Sequence, residues 1–203
     1  MEKKIWIPCS THQLEGMFSA GEPGRGAAVI THPHPLYGGN MDNPVVVTLA
    51  RAFQARGYAT LRFNFRGTDG STGRYDDGVG EMADVAAALD YLDAGPVILA
   101  GYSFGSRVNA GFMAGKAGAE RVSDHIMVSP PVAFISFDDV KTLPKTGLVV
   151  TGSRDEIAPP DQVESVLDGW EIHPRLEIIT GGDHFYSGCL ERLESIVDDY
   201  LAG

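Results

Sequence analysis

Short apolar runs alternate with longer helix-compatible stretches along most of the chain, and this alternation constrains the fold more than any single residue. Strand-like runs fall at Lys4–Pro8, Leu14–Ser19, Ala27–Thr31, Ala59–Phe65, Val97–Gly101, His125–Val128, Gly147–Thr151 and Leu176–Ile179. Helix-like stretches fall at Pro44–Arg56, Glu81–Asp93, Phe104–Lys116, Asp161–Asp168 and Leu190–Leu201. In the first of these, Val46, Leu49, Ala50 and Phe53 recur at helical spacing, which makes a core stripe, and Gly57 is a natural stop. Strands joined through helices pair in parallel and are covered on both faces. The expected class is therefore α/β, a mostly parallel central sheet with helices on both faces and an antiparallel start. At 203 residues the chain suffices for one sizeable core and is short for two, with no repeat or linker, so one domain over 1–203 is expected. Right-handed crossovers gather the loops after the parallel strands at one edge of the sheet, where ligands bind.

One of those loops carries Gly101-Tyr102-Ser103-Phe104-Gly105, a G-x-S-x-G motif between an apolar run and a helix-like stretch. Strand, sharp turn and helix form the context in which this motif exposes a serine hydroxyl on a strained backbone. A serine hydroxyl is a weak nucleophile until a base takes its proton and an acid orients the base. Downstream, the run Gly147–Gly152 ends in Ser153-Arg154-Asp155-Glu156, and Leu176–Ile179 ends in Thr180-Gly181-Gly182-Asp183-His184-Phe185. Ser103, Asp155 and His184 thus lie just past three strand ends, in the order Ser, Asp, His. Glu156 and Asp161 are rival carboxylates for the acid, and Asp183 reads as a loop residue. His32, His34, His125 and His173 do not follow the acid on a glycine-rich loop.

Acyl transfer also needs N–H groups aimed at a tetrahedral oxyanion. One is expected from Phe104, the residue after the nucleophile, at a helix N-terminus. The second is expected from the loop His32-Pro33-His34-Pro35-Leu36-Tyr37-Gly38-Gly39. Pro33 and Pro35 have no N–H, which leaves His34, Leu36 and Tyr37. Leu36 is favoured, because two fixed proline φ angles precede it, and His34 is the alternative.

The blocks His32–Val47, Arg62–Glu81, Gly101–Ser106, Thr151–Pro160 and Gly181–Phe185 together resemble the α/β-hydrolase superfamily over nearly the whole chain. More narrowly, the chain is similar to small, cap-less bacterial hydrolases related to dienelactone hydrolase. The resemblance places the nucleophile on Ser103, the acid on Asp155 and the base on His184. It implies a serine hydrolase acting on an ester or thioester of a small-molecule acyl substrate. In the block from Arg66 to Ser71, Asp69 stands where a glycine is common in that family. A peptidase or amidase, a lyase- or perhydrolase-type use of the site, and a non-catalytic binding protein are alternatives on the same fold.

The stretch Ser129 to Lys145 is too short for a helical cap, so an open, shallow site is expected. Its rim is expected to be Tyr37, Phe134, Ile135, Phe137 and Phe185, with Tyr37, Phe134 and Phe185 as substrate-binding residues, which favours an acyl or aryl group. A formal net charge of −11 excludes the basic face that nucleic-acid binding requires. Arg66, Arg74 and Arg107 are expected to be structural or solvated. Two cysteines, Cys9 and Cys189, give no disulfide scaffold, and no leader-like segment or membrane-length apolar run is present, so a cytoplasmic protein is expected. His32 and His34 share a face on an extended strand, but no carboxylate or cysteine completes a site, so no metal is expected. No phosphate loop or dinucleotide fingerprint is present, and no cofactor is expected. A monomer or a homodimer is expected, with residues 14–19 as an exposed edge strand through which two copies would pair.

Overall fold

The computed structural model describes residues 1–92, 95–115 and 118–203. Eight strands share one sheet: β1 (Lys3–Cys9), β2 (His12–Ser19), β3 (Ala27–Thr31), β4 (Ala59–Phe63), β5 (Val97–Tyr102), β6 (Val122–Val128), β7 (Thr146–Gly152) and β8 (Arg175–Ile179). Their order is β1-β2-β4-β3-β5-β6-β7-β8. β1 pairs antiparallel with β2, and β2 antiparallel with β4; every other pairing is parallel. The expected mixed sheet with an antiparallel start is present. The expected edge strand at 14–19 is not: β2 is flanked by β1 and β4, and the sheet ends on β1 and β8. The chain doubles back after β3 to place β4 outside it, and this crossover covers the edge that β2 alone would have left open.

Among the described residues, five α-helices cover the sheet: α1 (Pro44–Ala55), α2 (Val79–Leu92), α3 (Phe104–Ala114), α4 (Pro160–Gly169) and α5 (Leu190–Ala202). The ends expected at Asp93 and Lys116 lie outside the described residues. Side chains alternate across a strand, and β5 shows the consequence. Ile98, Ala100 and Tyr102 pack into a cluster with α1 and α5, whereas Val97 and Leu99 pack into a cluster with α2 and α3. A third cluster joins Met127 and Val149 to Val163 and Leu167 of α4. The α1 stripe is buried, with Val46, Leu49 and Phe53 each 0 % exposed. Burying one such side chain contributes roughly 1.5–3 kcal/mol.

Residues 129–145 form neither helix nor strand. Phe137, Val140 and Leu143 from this segment fill the third cluster, so the segment seals the core instead of forming a cap.

Candidate active site

β5 delivers Ser103 to the sheet edge, and α3 begins at the next residue. Ser103 has φ 52° and ψ −120°, a conformation that costs an L-residue on the order of 1–3 kcal/mol unless its surroundings fix it. They do. Its N–H donates to Val128 O at 2.9 Å, and its carbonyl accepts from Ser106 N–H at 2.9 Å and Ser106 Oγ at 2.7 Å. The flanking glycines are required by close approach. A Cβ on Gly101 would lie 2.6 Å from Asn109 Nδ2, and one on Gly105 would lie 2.7 Å from the Thr31 backbone.

The turn aims Ser103 Oγ at His184 Nε2, 2.9 Å away. His184 Nδ1 is 3.0 Å from both carboxylate oxygens of Asp155. A carboxylate is acceptor-only, so Nδ1 carries the proton and Nε2 is free to accept one from the serine. Asp155 Oδ1 also accepts from Ile157 N–H at 2.9 Å and Ala158 N–H at 2.8 Å. Burial works against ionisation of Asp155, but the hydrogen bond and charge of His184 and the Ala158 N–H outweigh it and hold the carboxyl below its ordinary value. All three side chains are buried, which strengthens the relay. The rivals Glu156 and Asp161 are exposed. Asp183 is spent on its own loop, accepting from Ser187 N–H at 2.9 Å.

The loop after β3 differs from expectation. Pro35–Tyr37 is a single 3-10 turn, and His34 caps it: its Nδ1 accepts the Leu36 N–H at 3.3 Å. The Leu36 N–H is therefore engaged, and its side chain is exposed outside the cleft lining. The expectation for Leu36 is corrected on that ground. Tyr37 N–H is engaged too, by His34 O at 3.1 Å. Among the described residues, the N–H groups of His34 and Phe104 have no protein acceptor, and both residues line the cleft. The His34 ring is fixed by Tyr75 Oη, 3.0 Å from its Nε2, and lies against Tyr37, Tyr75 and Phe104.

The cleft over Ser103 has a volume of about 550 Å3. Tyr37, Phe134, Ile135 and Phe185 form its rim together with Pro131 and Ile157. Among the described residues, no lysine, arginine, aspartate or glutamate lines it. Phe137 does not reach it: the ring packs 5.7 Å from Trp170 with Arg107 stacked over it. Arg107 pairs with Asp139 and Arg66 with Asp84, while Arg74 is exposed.

His32 is a structural tie. Its Nε2 accepts from Phe65 N–H at 2.9 Å and its Nδ1 donates to Pro33 O at 2.6 Å, which locks the ends of β3 and β4 together. Away from the cleft, Cys9, His12 and Asp84 gather in one metal-ligating cluster. Both Asp84 oxygens are engaged by the Arg66 guanidinium, so a cation there would meet a fixed positive charge.

A family model described as "Alpha/beta hydrolase domain" matches residues 28–194. An uncharacterized protein of Rickettsia prowazekii is 34% identical, a similarity spanning 93% of this chain and 84% of that protein. The chain is also similar to an alpha-beta serine hydrolase homologue from Coxiella burnetii, at 33% identity and TM-score 0.89 over 98% of this chain and 97% of the other. A serine hydrolase without a lid from Xanthomonas campestris superposes with TM-score 0.86 at 29% identity, over 98% of this chain and 92% of the other.

Proposed function

Since the chain belongs to the alpha/beta hydrolase domain family, we propose that it is a serine hydrolase cleaving a carboxylic ester or thioester through Ser103, His184 and Asp155. The observation that carries this reading is the unbroken relay from Ser103 Oγ through His184 to Asp155, at 2.9 and 3.0 Å, beneath an open cleft. His184 Nε2 takes the serine proton as Oγ attacks the carbonyl carbon, and the imidazolium is stabilised by Asp155. The oxyanion forms opposite the free N–H groups of Phe104 and His34. His184 then protonates the leaving group, and water, activated by the same nitrogen, releases the acyl group. The substrate is a small molecule, and the uncharged, largely apolar cleft favours a neutral acyl or aryl group over an anionic one. A cytoplasmic location is part of this reading; among the described residues no helix is long and apolar enough to cross a membrane.

The test is labelling with a fluorophosphonate probe followed by peptide mapping. Covalent modification of Ser103 is expected, lost in S103A and H184A while both variants keep the wild-type fold. Folded wild-type protein that does not react at Ser103 would refute an activated nucleophile.

A further inference from the structure

The relay explains what the triad does, but not what holds its loops together. His184 sits on the loop after β8, with the nucleophile turn, the β6 end and the acid loop around it. Two buried tyrosines bridge these elements. Tyr102, 1 % exposed, immediately precedes the nucleophile, and its hydroxyl donates to His184 O at 2.8 Å. Its ring packs against the His184 imidazole with centroids 5.5 Å apart. Tyr186, 0 % exposed, lies two residues beyond His184. Its hydroxyl is 2.7 Å from Ser129 Oγ at the end of β6 and donates to Val150 O of β7 at 3.3 Å. The two rings meet edge to face at 6.4 Å.

We propose that Tyr102 and Tyr186 are positioning residues that clamp the His184 loop from both sides and keep Nε2 in line with Ser103 Oγ. The inference rests on the serine hydrolase reading above. Two arguments carry it beyond ordinary core packing. First, both hydroxyls are deep in the core, and a buried hydroxyl is costly unless it is used. Each is used on the base loop or on the strand ends that frame it. Second, Tyr186 Oη meets both the Ser129 hydroxyl just past β6 and the Val150 carbonyl of β7, the strand whose end leads into Asp155, so the clamp reaches the acid loop as well as the base. Ser129 itself has φ 46°, a left-handed conformation that glycine would adopt more readily, yet the position carries a hydroxyl.

The experiment compares wild type, Y102F, Y186F and S129G. It measures the rate and final stoichiometry of fluorophosphonate labelling, and kcat and KM on p-nitrophenyl acetate. Each variant removes one hydroxyl and keeps the rings or relaxes the backbone. A displacement of about 1 Å at the reacting groups costs on the order of 100-fold. Y102F and Y186F are therefore expected to label to full stoichiometry but roughly 10–100-fold more slowly, with kcat reduced and KM within about twofold of wild type. A smaller labelled fraction reacting at the wild-type rate would mean that the tyrosines only stabilise the fold, and would overturn the inference. So would a wild-type rate in either folded tyrosine variant. S129G, which relieves the positive φ, carries the test if loss of a tyrosine hydroxyl prevents folding; it too is expected to label slowly, and a wild-type rate overturns the clamp. Absence of labelling in wild type would instead remove the serine hydrolase reading itself.

Discussion

At the scale of the residue, His34 presents two separable groups, a ring and a backbone N–H. Its side chain caps the 3-10 turn by accepting the Leu36 N–H, and its own N–H has no protein acceptor among the described residues. The His34 backbone, at φ −58° and ψ 121°, already has a conformation open to proline. H34P therefore deletes the N–H with little change in the backbone, while H34A deletes the ring and keeps the N–H. If the His34 N–H is the second oxyanion donor, kcat of H34P falls on the order of 100- to 1,000-fold below that of H34A, as expected for loss of one such donor. Equal kcat in the two variants would return the role to another group. Steady-state kinetics on one activated ester decides this, with the melting temperature as the control for folding.

At the scale of the element, the nucleophile turn depends on how closely α3 approaches β3. Gly105 lies so near Thr31 that an added Cβ would fall 2.6 Å from its Oγ1 and 2.7 Å from its carbonyl oxygen. Backbone cannot rotate aside as a side chain can, so G105A must push the start of α3 away from the sheet. Overpacking of this kind costs roughly 1–3 kcal/mol. The urea midpoint is expected to fall accordingly, and kcat with it, because Phe104 N–H moves with the helix. Wild-type stability and turnover in G105A would mean that the contact yields without consequence. The close approach at Gly105 was legible in the motif, and so was the convergence of Ser103, Asp155 and His184 at one edge, because each lies just past an apolar run that became a strand. Strand and helix spans were legible for the same reason: burial imposes a period of 2 or 3.6 on the sequence. Three things were not. The engagement of the Leu36 N–H depends on a side-chain cap that no spacing encodes. The interior place of β2 depends on where the chain crosses after β3, a long-range choice. Tyr102 and Tyr186 look like any core aromatics until their hydroxyl partners are known, and Phe137 looks like a rim residue until Trp170 is found beside it.

At the scale of the whole molecule, two buried histidines set a limit on acid stability. His32 and His125 are both 0 % exposed. Burial pushes His32 down to about 4 and His125 down to about 3. Both lie below the ordinary value of about 6.5 that an unfolded chain would show. The folded protein thus binds fewer protons than the unfolded chain between these values. The stability from keeping the imidazoles neutral is complete above about pH 6.5 and is lost as pH falls from there toward the folded values. At pH 5 the loss is about 1.5 pH units at 1.36 kcal/mol each, or about 2 kcal/mol per histidine. Glu81 and Asp124 oppose it, because burial raises both carboxyls and protonation then favours the fold. A variant separates the two effects. His125 joins β6 to β7 through Thr146 Oγ1 at 3.0 Å, while its Nε2 has no hydrogen-bond partner among the described residues. H125L removes the titrating ring and leaves the carboxyls in place. The unfolding free energy lost between pH 7 and pH 5, measured by urea titration, is expected to be about 2 kcal/mol smaller in H125L than in wild type. The same loss in both proteins would mean that His125 protonates inside the fold as easily as outside it, and that the acid limit lies in the carboxylates.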